Sequence, residues 1–439
     1  MIIKIINKLK LIYSNDSDII KKLLKTFLTR GLAAIGTFIF NVFLVRVMGI
    51  EEYGVFMIAY SIIIGCGIFI KFGMPSAIMR FSSIMYKNNQ FGKILKLKKD
   101  VTVFNLILSV IFSLIIIFNT NLISIYFFEN QNVNNLLYIF ALSLPFYSFL
   151  GVQSSFFKSF SRPEIAPFFE VGLMLFFTTI SIYVYSFFDD NIVSSESSFF
   201  FLTSCLLTYF LGGLLLKKII REKTSREIIS HKKYTGFYST LWSYAALDLS
   251  SYFLKFSPIL ILGYYFSGNE VGYYSISSNS AFLINFVLWI VSSVYAPHFA
   301  NLFKEKKMKE LDILLKKSTV YMLFIATPVF LIIVFFPSFI ISIFDPHYKG
   351  SFVPIIVLAI AQLVNVATGP VLFLMNMIGK QKELMVIIFY TSFISIILGL
   401  ILIPKYSYIG AAFATAIGLI IQNLVALSKA KKNINENYV

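Results

Sequence analysis

Apolar runs of bilayer-crossing length alternate with short polar breaks from about residue 27 to residue 429. A crossing helix needs about 20 predominantly apolar residues. The pattern predicts helices near 27–48, 54–80, 101–123, 134–157, 166–188 and 197–218. Six more follow near 238–266, 271–300, 318–344, 352–378, 383–403 and 408–429. The loops between them are short. The longest on the side poor in lysines, around Phe188 to Ser197, is too small to hold a domain.

The cations give this run of spans a direction. Lys and Arg collect in Lys4 to Arg30, around Lys87–Lys99, Lys158–Arg162, Lys217–Lys233, Lys304–Lys317, Lys380–Lys382 and Lys429–Lys432. The alternate loops hold Glu51, Glu52, Glu129, Asp189, Asp190, Glu196 and Glu270, with Lys349 and Lys405 as their cations. Arg46, Lys71 and Lys255 fall inside spans. Positive charge on every second loop places those loops, and both termini, in the cytoplasm. The expected location is a cell membrane crossed many times.

Composition changes little in this picture and removes one alternative. Apolar residues make up 58% of the chain, charged residues 13%, and mean hydropathy is +0.80, all far from a soluble domain. In a soluble protein a net charge of +17 would point to nucleic acid. Here it is spread over topology-setting loops, where it also faces anionic lipid headgroups. Met1 to Tyr13 is too short and too charged for the apolar core of a cleavable signal. Ile2, Ile6, Leu9 and Tyr13 share one helical face, which predicts an amphipathic interfacial segment. Cys66 and Cys205 both sit in apolar runs, and neither a disulfide nor a metal site is expected.

The two sets of six spans resemble copies. Gly49-Ile50-Glu51-Glu52-Tyr53-Gly54 joins the first two spans, and Gly268-Asn269-Glu270-Val271-Gly272-Tyr273 joins the seventh and eighth. Ser161-Arg162-Pro163-Glu164 is echoed by Lys380-Gln381-Lys382-Glu383 at the same offset, from 49 to 268 and from 164 to 383. With six spans each, both copies enter the membrane in the same direction, the parallel-repeat arrangement of rocking transporters. The expected fold is therefore an all-α polytopic membrane protein, with twelve transmembrane helices in two parallel six-helix lobes around a central cleft. Its parts would be a cytoplasmic amphipathic segment (1–26), an N-lobe (27–218), a basic linker (219–237), a C-lobe (238–429) and a cytoplasmic tail (430–439).

At these turns the chain resembles a known family. Leu44-Val45-Arg46-Val47-Met48-Gly49-Ile50-Glu51-Glu52-Tyr53-Gly54 is similar to the first-helix signature of the polysaccharide flippases of the multidrug/oligosaccharidyl-lipid/polysaccharide exporter superfamily. Leu262-Gly263-Tyr264-Tyr265 with Glu270-Val271-Gly272-Tyr273-Tyr274 resembles their seventh-to-eighth turn. Tyr408-Ile409-Gly410-Ala411-Ala412-Phe413-Ala414-Thr415 resembles the start of their twelfth helix. The resemblance covers roughly residues 20 to 430. It implies a transporter, not an enzyme, that moves a polyprenyl-diphosphate-linked oligosaccharide from the inner to the outer leaflet for surface polysaccharide assembly.

Moving such a cargo means carrying a diphosphate through a layer where an isolated charge costs about 20 kcal/mol by an idealised Born estimate. Cations inside spans are expensive and mark functional positions. Lys255, in Leu254-Lys255-Phe256-Ser257-Pro258, is the first candidate. Asp248 lies seven residues earlier and returns to nearly the same helix face, about 10.5 Å away. Pro258 weakens the backbone ladder beside it. Lys71 and Arg80 flank the break Phe72-Gly73-Met74-Pro75, and Arg30 opens the first span. These four cations are the expected substrate-binding set. Asp248 and Glu170 are the candidates for ion or proton coupling. Arg46 is expected to pair with Glu51 or Glu52 at the interface. Gln153, Ser154, Ser155, Asn279, Ser280, Asn285, Gln362 and Asn365 could serve sugar hydroxyls, although interhelical hydrogen bonds are their commoner use. His298 closes the eighth span, where a helix-end role is expected of it.

No phosphate-cradling Gly-x-x-x-x-Gly-Lys-Ser/Thr loop and no paired Cys-x-x-Cys spacing is present, so no ATPase module, cofactor or metal centre is expected. Partners would be the lipid-linked oligosaccharide and membrane lipids, with a polysaccharide polymerase and glycosyltransferases working alongside a monomer. Two other readings compete. A cation-coupled multidrug exporter of the same superfamily would want an acidic cavity. A membrane glycosyltransferase or polymerase would want catalytic acids on a sizeable external loop, and the longest one here offers the single pair Asp189-Asp190 with little around it.

Overall fold

The computed structural model describes residues 17–188, 194–223, 236–266 and 268–436. Among these the chain is a run of helices: α1 (Ser17–Lys71), α2 (Met74–Lys87), α3 (Phe91–Asn121), α4 (Gln131–Ser159), α5 (Leu173–Tyr185) and α6 (Ser194–Lys223). There follow α7 (Phe237–Tyr265), α8 (Gly268–Lys304), α9 (Met308–Phe335), α10 (Pro337–Phe344), α11 (Val353–Ala367), α12 (Val371–Met377) and α13 (Gln381–Glu436). Short π-helical turns extend α3 (Leu122–Phe127) and precede α5 (Phe168–Gly172).

Each predicted span falls on helix, but three are divided between two helices: 54–80 between α1 and α2, 318–344 between α9 and α10, and 352–378 between α11 and α12. Gly49, at φ 77° and ψ 171°, divides α1 into two arms. Glycine tolerates that left-handed backbone without steric cost. Ser407, at φ 51° and ψ −135°, divides α13 in the same way. By length and apolarity, eight helices among the described residues qualify as membrane crossings, or nine if α11 and α12, bent by 43°, count as one span.

Several boundaries differ from expectation. The helix of the first span begins at Ser17, ahead of residue 27. The second span breaks at Phe72 and Gly73, both with positive φ, and resumes as α2. The helix of the last span runs on to Glu436, so the expected tail is largely helical, with Asn433 bonded to Glu383 at 3.1 Å. The Met1–Tyr13 segment and most of the basic linker lie outside the described residues.

The inward faces pack in two groups. α4 is the hub of the first, touching α1, α2, α3 and α6; α11 is the hub of the second, against α8, α9 and α13. Helix α4 buries Leu136, Phe140, Leu144, Phe156 and Phe157 among others. The groups meet along two seams, α1 against α8, and α1 with α2 against α7. Outward faces are apolar and exposed: Phe118 on α3, Phe210 and Leu214 on α6, Phe324 and Phe335 on α9. Such a surface is stable only against lipid. Many buried hydroxyls are satisfied within their own helices, as Ser155 is by the Gly151 carbonyl at 2.9 Å and Ser280 by that of Ile276 at 2.8 Å. A bilayer offers no water to do it for them.

Candidate functional site

The break after α1 brings the two groups together at one point. Gly73 has φ 71°, and a Cβ there would stand 2.5 Å from the Leu241 carbonyl and 2.7 Å from the Ala245 nitrogen of α7. Only a glycine lets the chain turn this close to α7. Lys71, the last residue of α1, is thereby presented toward the seam, and Pro75 starts α2 where its missing N–H costs nothing.

Two further glycines shape the same wall. Gly67 leaves room for the Tyr147 ring, which a Cβ would approach to 2.7 Å, and Gly65 does the same for Tyr252 of α7. The Tyr252 hydroxyl donates to the Ser61 carbonyl across the seam at 2.9 Å. Lys71 Nζ lies over the Tyr147 ring, 5.1 Å from its centroid. Gly151 of α4 keeps the lysine's path clear, since a Cβ there would be 3.1 Å from Lys71 Cδ.

Between these elements lies a cavity of about 410 Å³. Lys71, Lys158, Lys255, Asp248 and Glu170 supply its charges, and Ser76, Ser155, Ser251 and Tyr252 its hydroxyls. The walls come from α1, α2, α4, the π-helical turn before α5, and α7. Lys158 Nζ pairs with Glu170 Oε2 at 2.7 Å, and the same oxygen accepts from Ser154 Oγ at 2.8 Å. Lys255 stands over two rings, 5.0 Å from Phe256 and 5.7 Å from Phe282 of α8. Among the described residues neither Lys71 nor Lys255 has a carboxylate within ion-pairing distance.

Four of the residues singled out by sequence therefore converge: Lys71, Lys255, Asp248 and Glu170 all line one cavity. One does not join them. Arg80 is exposed on α2 beside the ring of its own neighbour Phe81, 5.8 Å away, and is not among the lining residues. It lies one position beyond Met79, where α2 turns its side chain away from the cavity. Arg30 falls within α1, but its side chain is outside the described residues.

Arg46 departs from expectation too. Its Nε donates to the Ile343 carbonyl near the end of α10 at 2.7 Å. Glu52, its expected partner, instead accepts from Asn132 and from the Ser194 backbone N–H that begins α6. The carboxylate is better placed against the free N–H groups of a helix start than against a side chain on the preceding arm.

Lys158 is the charged cavity residue that sequence reasoning missed, alongside the hydroxyls of Ser76, Ser251 and Tyr252. It sits at a helix end in a basic turn, where topology alone accounts for a lysine. Its legible signal was the pair Ser154 and Lys158, four apart on α4 and so on one face, opposite Glu170. The amides, by contrast, tie helices together. Asn365 donates to Asn285 and to Gln362, both at 3.2 Å, and Gln153 donates to the Tyr209 carbonyl at 3.1 Å.

At the end of the seam remote from the basic turns, the two copies of the Gly turn cross. A Cβ on Gly54 would overlap the Gly268 carbonyl, and one on Gly272 would overlap the Ile50 carbonyl. The contact is reciprocal under a pseudo-two-fold that relates 54 to 272 and 50 to 268, an interval of 218 in both cases and one short of the offset read from the turns. Below it Asn279 of α8 donates to Asn41 Oδ1 at 3.2 Å and to the Tyr53 hydroxyl at 3.0 Å. Tyr53 in turn donates to Asn41 at 2.7 Å.

A many-helix membrane fold with a charged cavity on the seam between two groups defines a class, that of two-lobed membrane transporters. Within it, a family model described as polysaccharide biosynthesis protein matches residues 43–345, and the chain belongs to that family. The fold is that of solved transporters. Lipid II flippase MurJ in an inward closed conformation superposes with a TM-score of 0.70 at 18% identity, over 95% of this chain and 90% of that one. An inward-facing multidrug resistance MATE family transporter of the MOP superfamily gives 0.67 at 12%, over 94% and 95%. A MOP superfamily transporter from Pyrococcus furiosus, described as having a binding pocket of reverse polarity, gives 0.64 at 12%, over 95% and 96%. No curated protein sequence matches. The family and these structural neighbours are transporters and flippases, not enzymes.

Proposed function

We propose that the protein is a flippase for a polyprenyl-diphosphate-linked oligosaccharide, carrying it from the inner to the outer leaflet of the cytoplasmic membrane by alternating access. The observation that carries this reading is the cavity on the seam, where lysines outnumber carboxylates three to two and, among the described residues, Lys71 and Lys255 have no ion-pair partner. Their charges are available to an incoming anion, whereas a cationic drug would meet repulsion from both. Lys255 stems from α7 and Lys71 from α1, so a phosphate bridging them would draw the two groups together. The serines and Tyr252 offer hydroxyls to the first sugar, while the isoprenoid stays in lipid throughout.

Both termini and the basic turns are assigned to the cytoplasm, so the Gly54–Gly268 crossing closes the outer end. Rocking of residues 27–218 against residues 238–429 would open it. Asp248, two turns from Lys255 on the same helix, is the carboxylate best placed to couple transport to an ion or proton. The protein acts as a monomer, since the cleft lies within one chain, and hands its cargo to a polysaccharide polymerase.

The test is the flipping of a polyprenyl-diphosphate-linked saccharide by purified protein in vesicles, with surface polysaccharide in cells as a second readout. Lys255→Ala should abolish both while inserting at normal levels, and Lys255→Arg should keep part of the activity because a positive charge is retained. Wild-type transport by Lys255→Ala would remove this residue from the mechanism. Efflux of cationic drugs with no flipping would overturn the cargo.

A further inference from the structure

The cavity holds a third lysine whose charge is already spent. Lys158 is bound to Glu170, and that carboxylate is held by the single oxygen that accepts from both Lys158, at 2.7 Å, and Ser154, at 2.8 Å. The Glu170 side chain keeps 42% of its accessible surface and Lys158 23%. The pair therefore faces the cavity rather than closing a dry core. Glu170 sits on the π-helical turn Phe168–Gly172, a local deviation from α-helix of the kind that recurs at functional sites. The turn aims its carboxylate back across the cavity at α4.

We infer that Glu170 is a resident counter-ion: it occupies Lys158 in the empty cavity and is displaced when the diphosphate of the cargo arrives. This rests on the flippase reading and assigns Lys158 as a third phosphate-binding residue. A diphosphate joining a lipid to a sugar carries two negative charges. Lys71 and Lys255 match that number, but Asp248 shares the cavity with them and offsets one. Recruiting Lys158 restores the balance. A phosphate oxygen takes over the role of Oε2, so no charge is left bare at Lys158, and Glu170 turns toward water, to which it is already exposed. After release the carboxylate returns to Lys158, which lowers the cavity's affinity for the anion and so helps the cargo leave.

A purely structural ion pair makes the opposite prediction for one variant. Glu170→Gln keeps the shape and a hydrogen bond to Ser154 but no longer neutralises Lys158. On the counter-ion reading it binds the anion more tightly than the native protein, on the order of tenfold. Lys158→Gln binds more weakly by a similar factor, and the double variant falls between them. Ser154→Ala, which loosens Glu170 without changing any charge, tightens binding two- to threefold and guards against misfolding of the charge variants.

The probe is farnesyl diphosphate, titrated into purified full-length protein in phosphatidylcholine nanodiscs, with thermal stability recorded for each variant. Tighter binding by Glu170→Gln and Ser154→Ala supports the inference. Unchanged or weaker binding by both, at native stability, overturns it. If Lys255→Gln loses binding while Glu170→Gln changes nothing, the counter-ion role falls and the anion site stands. If neither the native protein nor any variant binds the diphosphate, the anion site falls with it.

Discussion

Gly54 and Gly268 meet backbone to backbone, with no room for a single methyl group between them. The reciprocal approach of Gly272 to Ile50 makes this crossing the tightest joint between the two copies. Overpacking such a contact costs about 1–3 kcal/mol, and here the strain acts against one arrangement of the halves. Gly54→Ala and Gly272→Ala should each push the population away from the closed outer end. With Cys66 and Cys205 replaced, a cysteine introduced at Ser61, which is fully buried near the seam, should react with a membrane-impermeant thiol reagent about tenfold faster in either variant. Equal labelling rates would mean that the crossing is not a gate.

Gly151 tests the approach of Lys71. A Cβ there would stand 3.1 Å from Lys71 Cδ and 3.9 Å from Pro75, and the lysine is flexible enough to yield by that much. Gly151→Ala should keep transport within about threefold of native. The branched side chain of Gly151→Val has no such room and should cut it more than tenfold at normal membrane levels. Native activity in Gly151→Val would show that this position of Lys71 is not needed.

Tyr53, fully buried at the seam, joins Asn41 and Asn279 in a closed polar triangle. Tyr53→Phe takes one hydrogen bond from the buried Asn41 and one from the half-buried Asn279, at a cost of about 1–3 kcal/mol. The double variant with Asn279→Ala should lose less than the sum of the two single losses, because one interaction is being removed twice. Thermal unfolding in detergent reads this directly. Strict additivity would mean that the triangle contributes nothing as a unit.

Arg80 provides the contrast to Lys255. Both are cations inside apolar stretches, yet Arg80 is exposed on α2 and lies outside the cavity lining. Arg80→Gln should keep flipping within about twofold, measured per molecule inserted. A loss matching that of Lys255→Ala would place Arg80 on the cargo's path after all.

The hydrophobic pattern located the helices well because in a bilayer each span satisfies its own backbone. Helix formation there is a local property that needs no knowledge of neighbours. Glycine at the turns was legible for the same reason, although what Gly54 and Gly272 touch was not. Lys71 and Lys255 stood out because a cation in an apolar run has no local excuse. Helix periodicity put Asp248 on the face of Lys255, but their convergence with Lys71 and Glu170 in one cavity was not legible, and nor were the distances.

Lys158 shows where that reasoning stops. In sequence it is one more lysine in a basic turn, and only the fold of the chain between Ser159 and Phe168 brings Glu170 back to it. Arg46 and Glu52 fail for a related reason: neighbours in sequence found better partners, a carbonyl on α10 and a helix start on α6. The residue string by itself determined where the long apolar helices fall and which of their charges are costly. Which of those charges share a cavity, and which are already neutralised there, was decided by packing between helices far apart in the chain, because electrostatic pairing depends on distance in space and a linear pattern carries only the distance along one helix.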